Sequence, residues 1–155
     1  MQQSIRRQIV KSVPLAVVRR RGAESELPAV IPAACGLVWK AIKDLNIQGA
    51  GRHVAIYWRV VDGQFEVEVG AEVPSSFPGI GEVYASATPA AEVATATHFG
   101  PYQELGRTHD AVLQWCSAQK LEVAGPSWEI YGHWEDAWNH DPSRIRTDIF
   151  YALKV

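Results

Sequence analysis

A carboxylate set among aromatic rings is the arrangement in this sequence with the plainest chemical meaning. Two stretches read alike without a gap, Ile31 through Gly51 to Tyr57 and Leu105 through Gly125 to Tyr131. At a constant offset of 74 positions Val38 meets Val112, Ala50 meets Ala124, Gly51 meets Gly125, and Ile56-Tyr57 meets Ile130-Tyr131. The odd pair is Ala55 against Glu129. A duplicated unit implies two halves about an approximate twofold axis with a groove shared between them. An acid present in one half alone marks that groove as the place to look for function.

Strand alternation sorts the residues around Glu129 into two faces. Trp128, Ile130 and Trp134 fall on one, which is expected to meet a helix, and Ser127, Glu129, Tyr131 and His133 fall on the other. In the first half Val54, Ile56, Trp58 and Val60 are expected against a helix, with His53, Ala55, Tyr57 and Arg59 opposite. The expected cleft wall is therefore Tyr57 and Tyr131 in mirrored places, His53, and the single acid Glu129. Rings supply area and quadrupole attraction and the acid supplies charge, which suits a flat or cationic apolar ligand. A desolvated acid also suits general acid or base work, so if the chain is an enzyme Glu129 and Tyr131 are its candidate catalytic residues. The alternative is an exposed strand acid with no partner.

Other residues could join that cleft. Glu66 is a candidate ligand contact, and Asp148 matches it at an offset of 82. Glu68 fits better as part of a solvated hairpin face. Tyr102, in the turn Gly100-Pro101-Tyr102, either reaches the cleft or caps the following helix. Trp134 and Trp138 could form a lid over a flat ligand, and for Trp138, flanked by Asp136, Ala137, Asn139 and His140, a core role is harder to defend. Trp39, Trp115 and Trp128 read as core, and His109, on a helical stripe, reads as a satisfied core histidine. His98, His109, His133 and His140 form no metal set, and neither a nucleophile triad nor a phosphate-cradling glycine loop is legible. No metal and no cofactor is expected.

The elements that must position these residues follow from periodicity. Ile9 to Arg19, with Pro14 inside it, reads as an edge or bulged strand. Pro28 and Pro32 precede a helix with an apolar stripe of Ile31, Cys35, Val38, Ile42 and Leu45, ended by Gly49 and Gly51. Val54 to Val60 and Phe65 to Val73 read as strands about an Asp62-Gly63 turn. The second half repeats the order: a strand from Ala91 to His98, a stripe of Leu105, His109, Val112 and Cys116, a strand from Trp128 to Trp134, a long loop, and a strand from Thr147 to Leu153. The reading is an α+β domain of two β-α-β-β units with antiparallel sheet and two helices. The halves span about 5–73 and about 86–155, joined by a linker at 74–85.

The run His98-Phe99-Gly100-Pro101-Tyr102, a helix, Gly125-Pro126, Glu129-Ile130-Tyr131 and Thr147-Asp148-Ile149 resembles the GyrI-like domain, the effector-binding domain of MerR-type and AraC-type bacterial regulators. The resemblance covers nearly the whole chain. It implies two β-α-β-β units about a pseudo-twofold axis, a ligand cleft between them, and a ligand contact by the acid at Glu129. Only about eight residues precede the first strand, too few for a helix-turn-helix module, so a direct nucleic-acid role is not expected. Stand-alone members imply three readings: a binder of aromatic, cationic compounds such as drugs or toxins, a cofactor-free hydrolase of cyclopropane-containing genotoxins, or a module acting on a protein partner such as gyrase or a regulator. Binding is the reading preferred here. The fold alone does not choose among them.

Composition agrees with a single domain of this kind. The chain has 155 residues, 47% hydrophobic, with a net charge of −2 that gives no electrostatic reason for a nucleic-acid partner. Six tryptophans supply the aromatic excess that a ring-lined pocket needs. No apolar run approaches the roughly 18 residues of a membrane span, and the N-terminus lacks the apolar core of a secretory signal. Cys35 and Cys116 fall on helical stripes and read as buried reduced thiols, and the expected location is the cytoplasm.

Overall fold

Proline and glycine punctuation sets most of the element boundaries. The computed structural model describes residues 4–154. In chain order the elements are β1 (Arg6–Val10), β2 (Pro14–Gly22), α1 (Leu27–Asp44), β3 (His53–Val61), β4 (Gln64–Glu72), β5 (Tyr84–Ala87), β6 (Ala91–Phe99), α2 (Leu105–Ala118), β7 (Val123–Tyr131) and β8 (Arg146–Leu153). This is an α+β fold with antiparallel pairing. The run expected as one bulged strand is two, because Pro14 has no N–H to continue a ladder and opens β2 instead.

The chain divides into two compact units, Lys11–Pro89 and the segment up to Val10 together with the chain from Ala90 onward. In the Lys11–Pro89 unit the strand order is β3-β4-β2-β5. The β3–β4 hairpin turns at Asp62 (φ 53°) and Gly63 (φ 75°), the two positive angles of a type I′ turn. α1 packs on β2 and β4. It begins one turn earlier than expected: Pro28 sits in the first turn, where a missing N–H is harmless, and Pro32 lies inside the helix. Its buried line is Leu27, Ala34, Val38, Ala41 and Ile42, turned toward the alanines relative to the expected stripe. The segment Glu24–Asp44 has 21 residues and a mean hydropathy of 1.2, so by length and composition it passes for a membrane span despite the sequence expectation. In this fold it serves as the helix over β2 and β4.

The other unit has the strand order β1-β6-β8-β7. Its core joins Ala94 and Ala96 of β6, Val112 and Cys116 of α2 and Leu153 of β8, with Ile5, Trp115, Leu121 and Tyr151 packed around them. β1, read from sequence as part of the first half, pairs with β6, from Arg6 opposite Thr95 to Val10 opposite Ala91. The segment read as a linker at 74–85 leads back into its own unit, where β5 pairs with β2. Each unit is thus β-α-β-β with one further strand added beside its first, β5 on β2 and β1 on β6.

Two glycines of the Lys11–Pro89 unit separate packing from propensity. An added Cβ on Gly70 would stand 1.7 Å from the Ala16 carbonyl oxygen, so β2 and β4 approach only because that position has no side chain. Gly36, exposed in α1, has nothing within 4 Å of its would-be Cβ. Gly70→Ala should lower stability by about 3 kcal/mol or more, and Gly36→Ala should raise it by about 0.5–1 kcal/mol. Urea denaturation of the two variants checks the signs. Equal effects would mean that Gly70 is not needed for the strand approach.

Candidate functional site

A slip in one strand aims the acid. The β7–β8 ladder pairs Val123 with Leu153, shifts, and resumes with Ser127 opposite Tyr151, with Gly125 at φ 131° inside the shift. Beyond it Ser127, Glu129 and Tyr131 share one face and Trp128 and Ile130 the other. α2 covers the Glu129 face, since His109 of α2 contacts Glu129. The sequence expectation had the helix on the opposite face, where instead Trp128 stacks on Phe150 with centroids 5.4 Å apart. The same reversal holds in the other unit, where Trp39 of α1 donates to His53. Hydrophobicity could not distinguish the faces, because Trp128, Glu129 and Ile130 are all buried.

Glu129 is 4% exposed. Tyr131 donates its hydroxyl to Oε1 at 2.6 Å, and Nε2 of His109 lies 2.7 Å from Oε2. Nδ1 of His109 lies 2.7 Å from the Tyr151 hydroxyl, and the two rings meet edge to face. Tyr102 stands edge-on to Tyr131, centroids 5.8 Å apart. Burial and then the charge of Glu129 push the Tyr102 phenol up. Burial, followed by Glu129 and Asp110, does the same to Tyr151. The phenols are therefore protonated donors at neutral pH.

His98 fixes the turn that presents Tyr102. Its Nε2–H donates to the Pro101 carbonyl at 3.3 Å, and its Nδ1 accepts from the Thr108 hydroxyl at 2.7 Å, tying the Gly-Pro-Tyr turn to α2. Beside this turn an open hollow of about 580 Å³ is lined by Pro101, Tyr102, Glu104, Trp134, Pro142 and Ile145. Trp134 is exposed at its rim and packs edge-on against Trp138, which is buried. Trp138 is thus buried against Trp134, although its polar neighbours make a core role harder to defend from sequence and favour a lid.

The remaining expected residues belong to the Lys11–Pro89 unit. His53 is engaged by Trp39, and Tyr57 packs edge-on against Phe65. Glu66 is ion-paired with Arg59 at 2.6 Å and Arg19 at 3.0 Å, and Arg59 chiefly holds its carboxyl below the usual range. Glu68, expected on a solvated hairpin face, is buried and accepts from Trp58 Nε1 at 2.9 Å, Ser86 Oγ at 2.7 Å and the Tyr84 hydroxyl. The unforeseen β5 supplies two of these donors. In the other unit, Asp148 accepts from Thr97 at 2.8 Å and Arg146 at 3.2 Å. Sequence reasoning missed His109 and Tyr151 as partners of the acid. The available signal was a polar residue inside an apolar helical stripe. Both cysteines are free, Cys116 buried and Cys35 half-buried, and burial pushes the Cys35 thiol up to about 11. Among the described residues no group of three or more His, Cys, Asp or Glu could hold a metal ion.

The sequence of the GyrI-like small molecule binding domain matches residues 7–154. The chain belongs to the GyrI-like family. Solved structures share the fold. The EcmrR C-terminal domain is 18% identical with a TM-score of 0.77, over 99% of each chain. SAV2435 bound to tetraphenylphosphonium is 13% identical with a TM-score of 0.66, over 99% of this chain and 94% of that one. A hydrolase encoded by lin2189 from Listeria innocua is 14% identical with a TM-score of 0.61, over 97% and 91%. No curated protein matches the chain.

Burial raises the phenols of Tyr84 and Tyr151, each beside a carboxylate, one in each unit. A raised folded value means that the stability they contribute is complete below the ordinary tyrosine range near pH 10. It is lost as pH rises through the raised values, because the unfolded chain ionises first. Guanidinium denaturation midpoints should therefore fall above about pH 10, and Tyr84→Phe with Tyr151→Phe should blunt that fall. An unchanged alkaline fall in the double variant would assign it to other groups.

Proposed function

We propose that this GyrI-like chain binds lipophilic aromatic cations, with Glu129 as the charge-reading group. The observation that carries the reading is a carboxylate 4% exposed, bounded by the hydroxyl of Tyr131 and the imidazole of His109, with the Tyr102 ring on Tyr131. Phenol rings attract a cation through their faces, by about 0.5–2 kcal/mol each as desolvation increases. The buried acid supplies the stronger, less screened Coulomb attraction. Exposed Tyr102 and Trp134 line the hollow, and the Tyr102 ring also meets Tyr131, so they offer the first aromatic surface that such a ligand meets. The relative SAV2435, solved with tetraphenylphosphonium, supports this ligand class. Two free cysteines suit a reducing compartment, and we place the chain in the cytoplasm.

A second reading, a hydrolase, is favoured by the continuous chain Tyr131–Glu129–His109–Tyr151 and by the Listeria hydrolase of similar fold. Glu129 would take a proton from water as the water oxygen bonds a strained ring carbon. The ring C–C bond would break toward an electron-poor aromatic system, and a tyrosine would donate to the resulting anion. Glu129→Gln would then lower turnover by about two to four orders of magnitude.

For the binding reading, Glu129→Gln should weaken tetraphenylphosphonium about 10–100-fold, the loss of a charged contact in a partly dry site. Neutral triphenylphosphine oxide should change by less than about threefold. Fluorescence titration of the tryptophans reads both affinities. Equal losses for the two compounds would remove Glu129 from the charge-reading role.

A further inference from the structure

Glu129 is held by a group that can itself carry charge. His109 Nε2 lies 2.7 Å from its Oε2, and its side chain is 20% exposed where that of Glu129 is 5%. The imidazole is therefore the more solvent-accessible member of the pair. Its second nitrogen faces the Tyr151 hydroxyl at 2.7 Å, a group that donates or accepts. Neutral, the ring donates from Nε2 to Glu129 and accepts from Tyr151. Protonated, it donates from both nitrogens, and the Tyr151 hydroxyl turns to accept. The ring thus gains or loses a proton without leaving either hydrogen bond unmade.

Glu68 supplies an internal comparison. It is buried in the other unit and satisfied by Trp58, Ser86 and Tyr84, none of which becomes cationic. This fold thus satisfies one buried carboxylate with neutral hydrogen-bond donors, Arg19 standing opposite it on the neighbouring strand, and the other with an imidazole in direct contact. We infer that His109 is the resident counter-ion of Glu129, and that a cation binding there replaces the imidazolium charge and expels one proton to solvent. The balance is one cation in, one proton out, with net charge conserved. This rests on the proposed function and adds its regulation by pH.

Other charged groups surround the pair. β7 contributes Tyr131, and β8 contributes Tyr151 and Asp148, the latter held by Thr97 and Arg146. α2 itself carries Asp110 and Cys116, the turn before it carries Tyr102 and Glu104, and β6 carries His98, bonded to Thr108 and the Pro101 carbonyl. Both ring nitrogens of His98 are thus engaged away from Glu129. That leaves His109 as the imidazole in contact with the acid.

The test is calorimetric titration with tetraphenylphosphonium, which has no titratable group, between about pH 5.5 and 8.5, the range in which imidazoles change charge. Buffers of differing ionisation heat report the protons exchanged. Affinity should rise with pH by up to about tenfold per unit and then level, with up to one proton released at low pH and none at high pH. His109→Gln, whose amide still donates to Glu129, should bind with flat affinity and no proton release. NMR of the His109 ring in the unaltered protein reads the same linkage, and saturation with the ligand should move its titration to lower pH. Binding that depends on Glu129 but shows no proton release and no movement of the ring titration would overturn this inference and leave the proposed function standing. Absence of tetraphenylphosphonium binding at every pH would overturn both.

Discussion

One buried carboxylate organises the unit that holds the site. An ion taken from water into a protein interior costs several kcal/mol unless donors and countercharge replace its hydration. Glu129 is buried in β7, so its neighbours must supply them. The ladder shift at Gly125 aims it at the α2 face, α2 brings His109, and β8 brings Tyr151 behind the imidazole. His98 locks the turn before α2, and that turn carries Tyr102. A donor set of this kind stabilises the apo protein and also prepares an anionic spot for a cation that arrives with rings to match.

The two acids of the two units show what distinguishes a site from a support. Glu68 accepts from an indole, a phenol and a serine hydroxyl, none of which gains a positive charge. Glu129 meets a phenol and an imidazole, and the imidazole reaches toward solvent. Both acids are buried, and Glu129 has among its partners an imidazole, a side chain able to carry charge. The exposed rings of Tyr102 and Trp134 line one hollow, and Tyr102 also meets the ring of Tyr131, which donates to Glu129.

Much of the fold was legible because its signals are local. Asp62-Gly63 fixed a hairpin, the two apolar stripes fixed the helices, and the repeated order of elements fixed the α+β class. The additional strands were not legible. β1 and β5 are short, of five and four residues, and their placement is decided by pairing with β6 and β2 rather than by their own sequence. At the site, Glu129 and Tyr131 were singled out by comparing the two repeats and Tyr102 by its Gly-Pro-Tyr turn, and the structure groups these three in one unit. The helix-bearing face was misread because both faces of β7 are buried, which removes the alternation of polarity that assigns them. Misassigning the face in turn hid His109 and Tyr151, which reach Glu129 only if α2 lies on its side. Trp138 was misread for a related reason: polar neighbours in a loop say little when two short 3-10 turns fold the loop back over its own tryptophan.

The central claim is that Glu129 reads the charge of an aromatic cation. Its most direct test is a crystal structure with tetraphenylarsonium, whose arsenic is located by its anomalous scattering independently of any fitted ligand shape. The account predicts arsenic within about 6 Å of the Tyr131 or Tyr102 ring, the reach of a cation–π contact, and on the side of the Glu129 carboxylate. Arsenic bound elsewhere, with the Tyr131–Glu129–His109 bonds undisturbed, would contradict it.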